Sequence, residues 1–157
     1  MMPELKLIAL DAEDLNVISA HLQDAVLRVG EMTYLPSEKR FVAIANRFDW
    51  AKVAEGTKAD ASPSGSFERR RAGIRFERVQ SAKLQGIDLK DKRATLALLA
   101  ITFEPSSGPE TPEGDVTLTF SGRAAIRLKV ECVEVELKDL GAAWATKHSP
   151  EHPEDAV

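Results

Sequence analysis

Cysteine is nearly absent from this sequence. Cys132 stands alone, so no intramolecular disulfide can form, and without Cys or His companions at ligand spacing it makes no structural zinc site. A reducing compartment suits such a chain. Nowhere do roughly eighteen apolar residues follow one another, so no membrane-spanning helix is expected. The opening Met1 to Lys6 runs into a short apolar patch closed by Asp11, Glu13 and Asp14, which is not the pattern of a secretory signal. A cytoplasmic protein is the expectation. The phosphate-loop, nucleophile-elbow and dinucleotide-binding glycine patterns are also missing; Gly56-Thr57-Lys58 has fitting residue types in the wrong order. No internal repeat is visible.

What is present is a chain of 157 residues with a net charge of −4, long enough to bury a core of its own as one domain. The charge is unevenly spread. Residues 1–67 hold seven basic against ten acidic side chains, 68–93 nine against four, and the remainder five against eleven. A basic middle lies between acidic flanks.

The clearest local signal is a helix starting at Ala12. Asp11 can cap it, Asp14 stands at the third helical position, and Leu10 and Leu15 occupy staple positions. Leu15, Ile18 and Leu22 recur at helical spacing, with Ala25 extending the stripe. Leu5 to Ala9 and Val26 to Val29 read as flanking strands, the second ended by Gly30. Pro36 to Lys39 turns the chain between Met32–Leu35 and Phe41–Phe48, making a hairpin. Both alternation phases of Phe41 to Ala45 are apolar, which predicts a strand covered on both faces.

Residues 51–66 have almost no bulky apolar side chain and read as a mobile surface loop within one domain. From Arg69 onward strands are predicted at 69–79, 82–87, 94–103, 115–121 and 124–131. The third is compositionally ambiguous with helix, and strand is preferred. Val133, Leu137, Leu140 and Trp144 fall at helical spacing, whereas Val133, Val135 and Leu137 also suit a strand, so a C-terminal helix competes with strand there. The predicted fold is therefore an α+β domain over 1–146, with a curved, mostly antiparallel sheet that can approach a barrel. Residues 147–157 are expected to form a disordered acidic tail.

The stretch Arg69 to Arg78 is the most suggestive chemically. As a strand it places Ala72, Ile74 and Phe76 on the core side and Arg71, Arg75 and Glu77 on the other. Guanidiniums sharing a face can grip a phosphate, a carboxylate or an acidic peptide through forked hydrogen bonds. Arg47, in Asn46-Arg47-Phe48-Asp49-Trp50, ends the most apolar strand and joins Arg71 and Arg75 as a candidate binding residue. The plain alternative is a solvated face on which arginines pair with Glu131, Glu134 and other acids of the flanks. Nucleic acid is disfavoured by the overall negative charge and by the lack of interleaved exposed aromatics. His21 and Asp24 can meet on one helix face but have no recognisable nucleophile beside them. Cys132 reads as a core thiol, and Pro150 and Pro153 prevent His148 and His152 from forming a helical metal pair.

Leu7 to Leu15, Ile18 to Ala25, Asn46 to Trp50 and the Arg69 to Val79 strand together resemble a family of small uncharacterised alphaproteobacterial proteins over residues 5 to 146. That resemblance implies the α+β class and a bacterial cytosol; the family is a domain of unknown function that carries no assigned activity, cofactor or site. No cofactor, metal or catalytic residue is therefore expected. The leading functional expectation is a non-enzymatic module that binds a protein or small anionic ligand through the Arg71 and Arg75 face, with homodimerisation through a sheet edge as an added expectation. The competing one is a small-molecule enzyme with a cleft near Asp49, Trp50 and His21.

Overall fold

A computed structural model of the protein describes residues 5–48, 68–141 and 144–145. The described residues form one α-helix, α1 (Ala12–His21), and ten strands: β1 (Lys6–Ala9), β2 (Val26–Leu35), β3 (Arg40–Phe48), β4 (Glu68–Phe76), β5 (Val79–Gln85), β6 (Thr95–Pro105), β7 (Gly114–Phe120), β8 (Ala125–Val130), β9 (Val135–Asp139) and β10 (Trp144–Ala145). Every pairing is antiparallel, in the order β1-β9-β4-β3-β2-β6-β7-β8-β5, with β10 against the start of β4. The sheet curves but does not close, because β1 and β5 end the order without pairing to each other. The predicted approach to a barrel is thus corrected to an open curved sheet. Those two edges are blunted: β1 is four residues long and carries Lys6, and Lys83 sits in β5.

Helix α1 begins where its cap chemistry places it. The Asp11 carboxylate accepts from the Asp14 N–H at 2.8 Å, while the Asp14 carboxylate accepts from the Leu10 N–H at 3.1 Å. Leu15, Ile18 and Leu22 are buried as the stripe requires, but Leu10 is 65% exposed and forms no staple. The helix lies against β6 and β1. Where β2 stops pairing with β6, backbone and side-chain groups around the helix end take over: Asp24 N–H donates to Leu98 O, Leu98 N–H to Ala25 O, and Ile101 N–H to Ser19 Oγ. A bulge between Leu98 and Ala100 falls at this join and turns Leu99 outward. Residues 94–103 are accordingly strand.

The C-terminal helix does not form. Val135, Leu137 and Asp139 are buried at strand period, with β9 hydrogen-bonded to β4 on one side and β1 on the other. Pairing on two edges outweighs the helical spacing, and Leu140, one member of that spacing, is exposed. Two predicted strand boundaries also move. Val26 to Leu35 is one strand with a wide irregularity between Leu27 and Met32, and the predicted 69–79 strand breaks at Arg78, whose φ is 61°. The predicted loop 51–66 and the tail 147–157 lie outside the described residues.

The core fills the inner face of the sheet, from Phe41, Ile74 and Phe76 to Leu118, Phe120, Ile126 and Leu128, and is capped by α1. Gly114 opens β7 under the β6 backbone, and a Cβ there would lie 2.3 Å from Glu104 O and 2.7 Å from the Phe103 ring. Gly114→Ala is expected to destabilise by about 1–3 kcal/mol through overpacking, read as a lower midpoint in chemical denaturation.

Candidate functional site

Strand β3 explains where a site can be. Its inner residues Phe41, Ala43, Ala45 and Arg47 are buried, while Val42 and Ile44 on the outer face are only half-buried. The expected cover on the second face is absent among the described residues. A groove of about 530 Å³ lies there, with Val42, Ile44 and Gly73 in its floor, Gly30, Glu31 and Thr33 on one side, and Arg75, Glu136, Lys138 and Leu140 on the other. Two sequence features shape it. The irregularity in β2 sets five residue steps, Leu27 to Met32, against two on β3, Ala45 to Ala43, so the chain at Gly30 and Glu31 departs from the ladder beside Ile44. Gly73, paired with Ile44 on one side and Lys138 on the other, contributes no side chain.

Arg75 lines this groove, and it and the neighbouring arginines are paired with acids. Arg71 Nη2 lies 3.3 Å from Glu31. Arg75 bridges two carboxylates, through Nε to Glu77 at 2.8 Å and through Nη2 to Glu136. Arg78 Nε meets Glu134 at 3.3 Å, and Lys39 Nζ meets Glu131 at 2.7 Å. The arginines are cross-paired with acids as a solvated face is, and Arg75 lines the groove. Among the described residues these pairs use one or two of the five N–H donors that each guanidinium carries. Lys138 makes no ion pair among the described residues.

The electrostatics follow the pairing. The hydrogen bond and charge of Glu77 raise the Arg40 guanidinium above its ordinary value, and Glu134 does the same for Arg78. The Lys39 hydrogen bond holds the Glu131 carboxyl below the usual carboxylate range. Arg69 goes the other way: burial lowers it, with its guanidinium 3.9 Å from the centroid of the Phe48 ring.

The family model described as Protein of unknown function (DUF2948) matches residues 5–152. The chain belongs to that family. No curated protein matches the chain, and no solved structure matches it. The functional reading therefore rests on the geometry.

Arg47 is not part of the groove. Its side chain points to the core face, 3% exposed, where Nε and Nη2 donate to the two carboxylate oxygens of Asp139, each at 2.9 Å. Leu5 N–H donates to the same carboxylate at 2.8 Å, and Arg70 Nε lies 3.9 Å away. This buried cluster ties β3, β4, β9 and the start of β1 together. Of the three predicted binding residues, then, Arg71 and Arg75 share the outer face and Arg47 lies on the other side of the sheet.

Asp49 and Trp50, the residues of the alternative cleft, lie outside the described residues. His21 is half-buried at the end of α1. Cys132 is half-buried in the β8–β9 connection rather than in the core. Among the described residues, no group of three His, Cys, Asp or Glu side chains is placed to hold a metal, and no helix is long and apolar enough to cross a membrane. Sequence reasoning missed Glu31, Lys138 and Leu140 as groove residues. The signal that could have found the groove was the doubly apolar Phe41 to Ala45.

Proposed function

We propose that the protein is a non-enzymatic cytoplasmic binding module whose outer-face groove takes an anion with an apolar body, as a small carboxylate or an acidic peptide segment. The observation that carries this reading is an open apolar floor of Val42, Ile44 and Gly73 bordered by Arg75 and Lys138, with Glu31 and Glu136 also in the lining, each carboxylate engaged by an arginine. Apolar surface left half-open on a sheet gains from being covered. An anion placed there meets the amine of Lys138, which makes no ion pair among the described residues, and a guanidinium held in place by Glu77 and Glu136, so little side-chain freedom is lost at that guanidinium on binding. Arg71, beyond Gly73 on the same face of β4, lies outside the groove lining.

Thermal-shift titration with carboxylates of increasing chain length tests the reading, because a ligand that binds the native state stabilises it by mass action. Arg75→Ala and Lys138→Ala are each expected to weaken binding roughly tenfold, the loss of one charge-assisted hydrogen bond. Gly73→Ala is expected to separate stability from binding. Its φ is not in the left-handed region and the new Cβ would sit 3.5 Å from Leu140 Cδ1, an ordinary contact. The fold should gain about 0.5–1 kcal/mol while the methyl group occupies the floor and weakens binding. Unchanged binding in Gly73→Ala together with unchanged binding in Arg75→Ala would overturn the proposal.

A further inference from the structure

A second polar pocket lies on the outer face of the other half of the sheet, away from the groove. It has a volume of about 370 Å³ and is lined by Ser81, Lys83, Ser106, Asp115, Arg127 and Lys129. Strand register builds it. Lys83 of β5 stands directly opposite Arg127 of β8, Ser81 opposite Lys129, and Lys129 opposite Asp115 of β7.

Like charges directly opposite one another on a sheet repel and lower its stability. The Lys83 and Arg127 pair is not relieved from within: unlike Arg71, Arg75 and Arg78, neither these two nor Lys129 forms an ion pair with a carboxylate among the described residues. Three cations and the single Asp115 leave the lining with an excess of two positive charges. Ser81 and Ser106 add hydroxyl donors beside them.

We infer that this pocket is a binding site for a phosphomonoester dianion carried on a small molecule. A dianion balances the excess charge, its three terminal oxygens accept from guanidinium, ammonium and hydroxyl donors together, and the repulsion between Lys83 and Arg127 becomes attraction to a shared partner. The volume falls within the range of small-ligand sites and exceeds the needs of the phosphate group alone, which leaves room for an organic body. Asp115, at the register position opposite Lys129, puts one negative charge at the pocket's edge and disfavours ligands with charge spread along an extended chain.

The test is an amide-resolved NMR titration of the full chain with inorganic phosphate and with phenyl phosphate, against sodium chloride at matched ionic strength. Saturable shifts are expected at residues 81–83, 115 and 127–129, tighter for phenyl phosphate, and weakening below about pH 6 as the second phosphate proton returns. Lys83→Gln and Arg127→Gln should each weaken binding roughly tenfold. Arg75→Ala should leave it unchanged, which separates this site from the groove. Because Lys83→Gln removes one of two opposed like charges, its melting temperature in low-salt chloride should equal or exceed that of the wild type. Shifts no larger than those in chloride, binding untouched by Lys83→Gln and Arg127→Gln, or a preference for oligonucleotides or anionic vesicles over both soluble phosphates would each overturn the assignment.

Discussion

Asp139→Ala is expected to destabilise the fold by about 3–5 kcal/mol, a large share of the roughly 5–15 kcal/mol that holds a domain together. Asp139 is 1% exposed, and its carboxylate receives a two-point contact from Arg47 and the N–H of Leu5 while Arg70 stands close by. Removing it leaves the Arg47 guanidinium, itself 3% exposed, buried without its counter-charge and takes away the acceptor of the Leu5 N–H at the start of β1. A different outcome follows if both partners go. In Arg47→Met/Asp139→Leu the bridge is replaced by apolar side chains, and more than half of the lost stability should return, because the desolvation of the ion pair is also removed. Urea denaturation of the two variants beside the wild type measures both effects. Equal destabilisation of the single and the double variant would show that the cluster is not held by the bridge.

Phe76→Ala is expected to cost about 3–5 kcal/mol. Phe76 is fully buried, is paired in register with Phe41 on β3 and Val135 on β9, and packs its ring 6.1 Å from that of Phe41 at a tilt of 54°. Truncation leaves a ring-sized space among strands held in place by ladder bonds on both sides, so collapse into the space is limited. The denaturation midpoint should fall with little change in slope. A loss below about 1 kcal/mol would mean that the surrounding core side chains repack around the gap.

The parts of this fold that local chemistry dictates were legible in the sequence. Asp11 caps α1, Leu15, Ile18 and Leu22 bury its stripe, and Pro36 to Lys39 turns the β2–β3 hairpin with Lys39 at φ 54°. What escaped was set at long range. Helical spacing at Val133, Leu137, Leu140 and Trp144 was coincidental, because β9 finds its partners more than fifty residues upstream in β4 and at the start of the chain in β1. Asp139 broke the apolar pattern of that strand, since a buried acid shows itself only once Arg47 is placed beside it. Arg47 itself is hidden for the same reason: strand alternation puts it inward, against the expectation that a charged residue faces water.

The candidate site shows the same division. Alternation assigned Arg71 and Arg75 to one face, and that face is where they lie. Their partners Glu31 and Glu136 could not be chosen from the sequence, because each comes from a different strand. Phe41 to Ala45 signalled apolar residues on both sides of β3, but whether the second side meets a layer or borders a groove depends on how β2 leaves the ladder near Gly30. A Cβ on Gly30 would approach Lys92 O to 2.9 Å, so this departure depends on a residue without one.

The most direct test of the central claim is an amide-resolved NMR titration of the full chain with octanoate, an anion with an apolar body. The account predicts saturable shifts at residues 30–33, 42–44, 73–75 and 136–140, with affinity roughly tenfold weaker in Arg75→Ala and unaffected by Lys83→Gln. Shifts that never saturate, or that fall outside these segments, would contradict it.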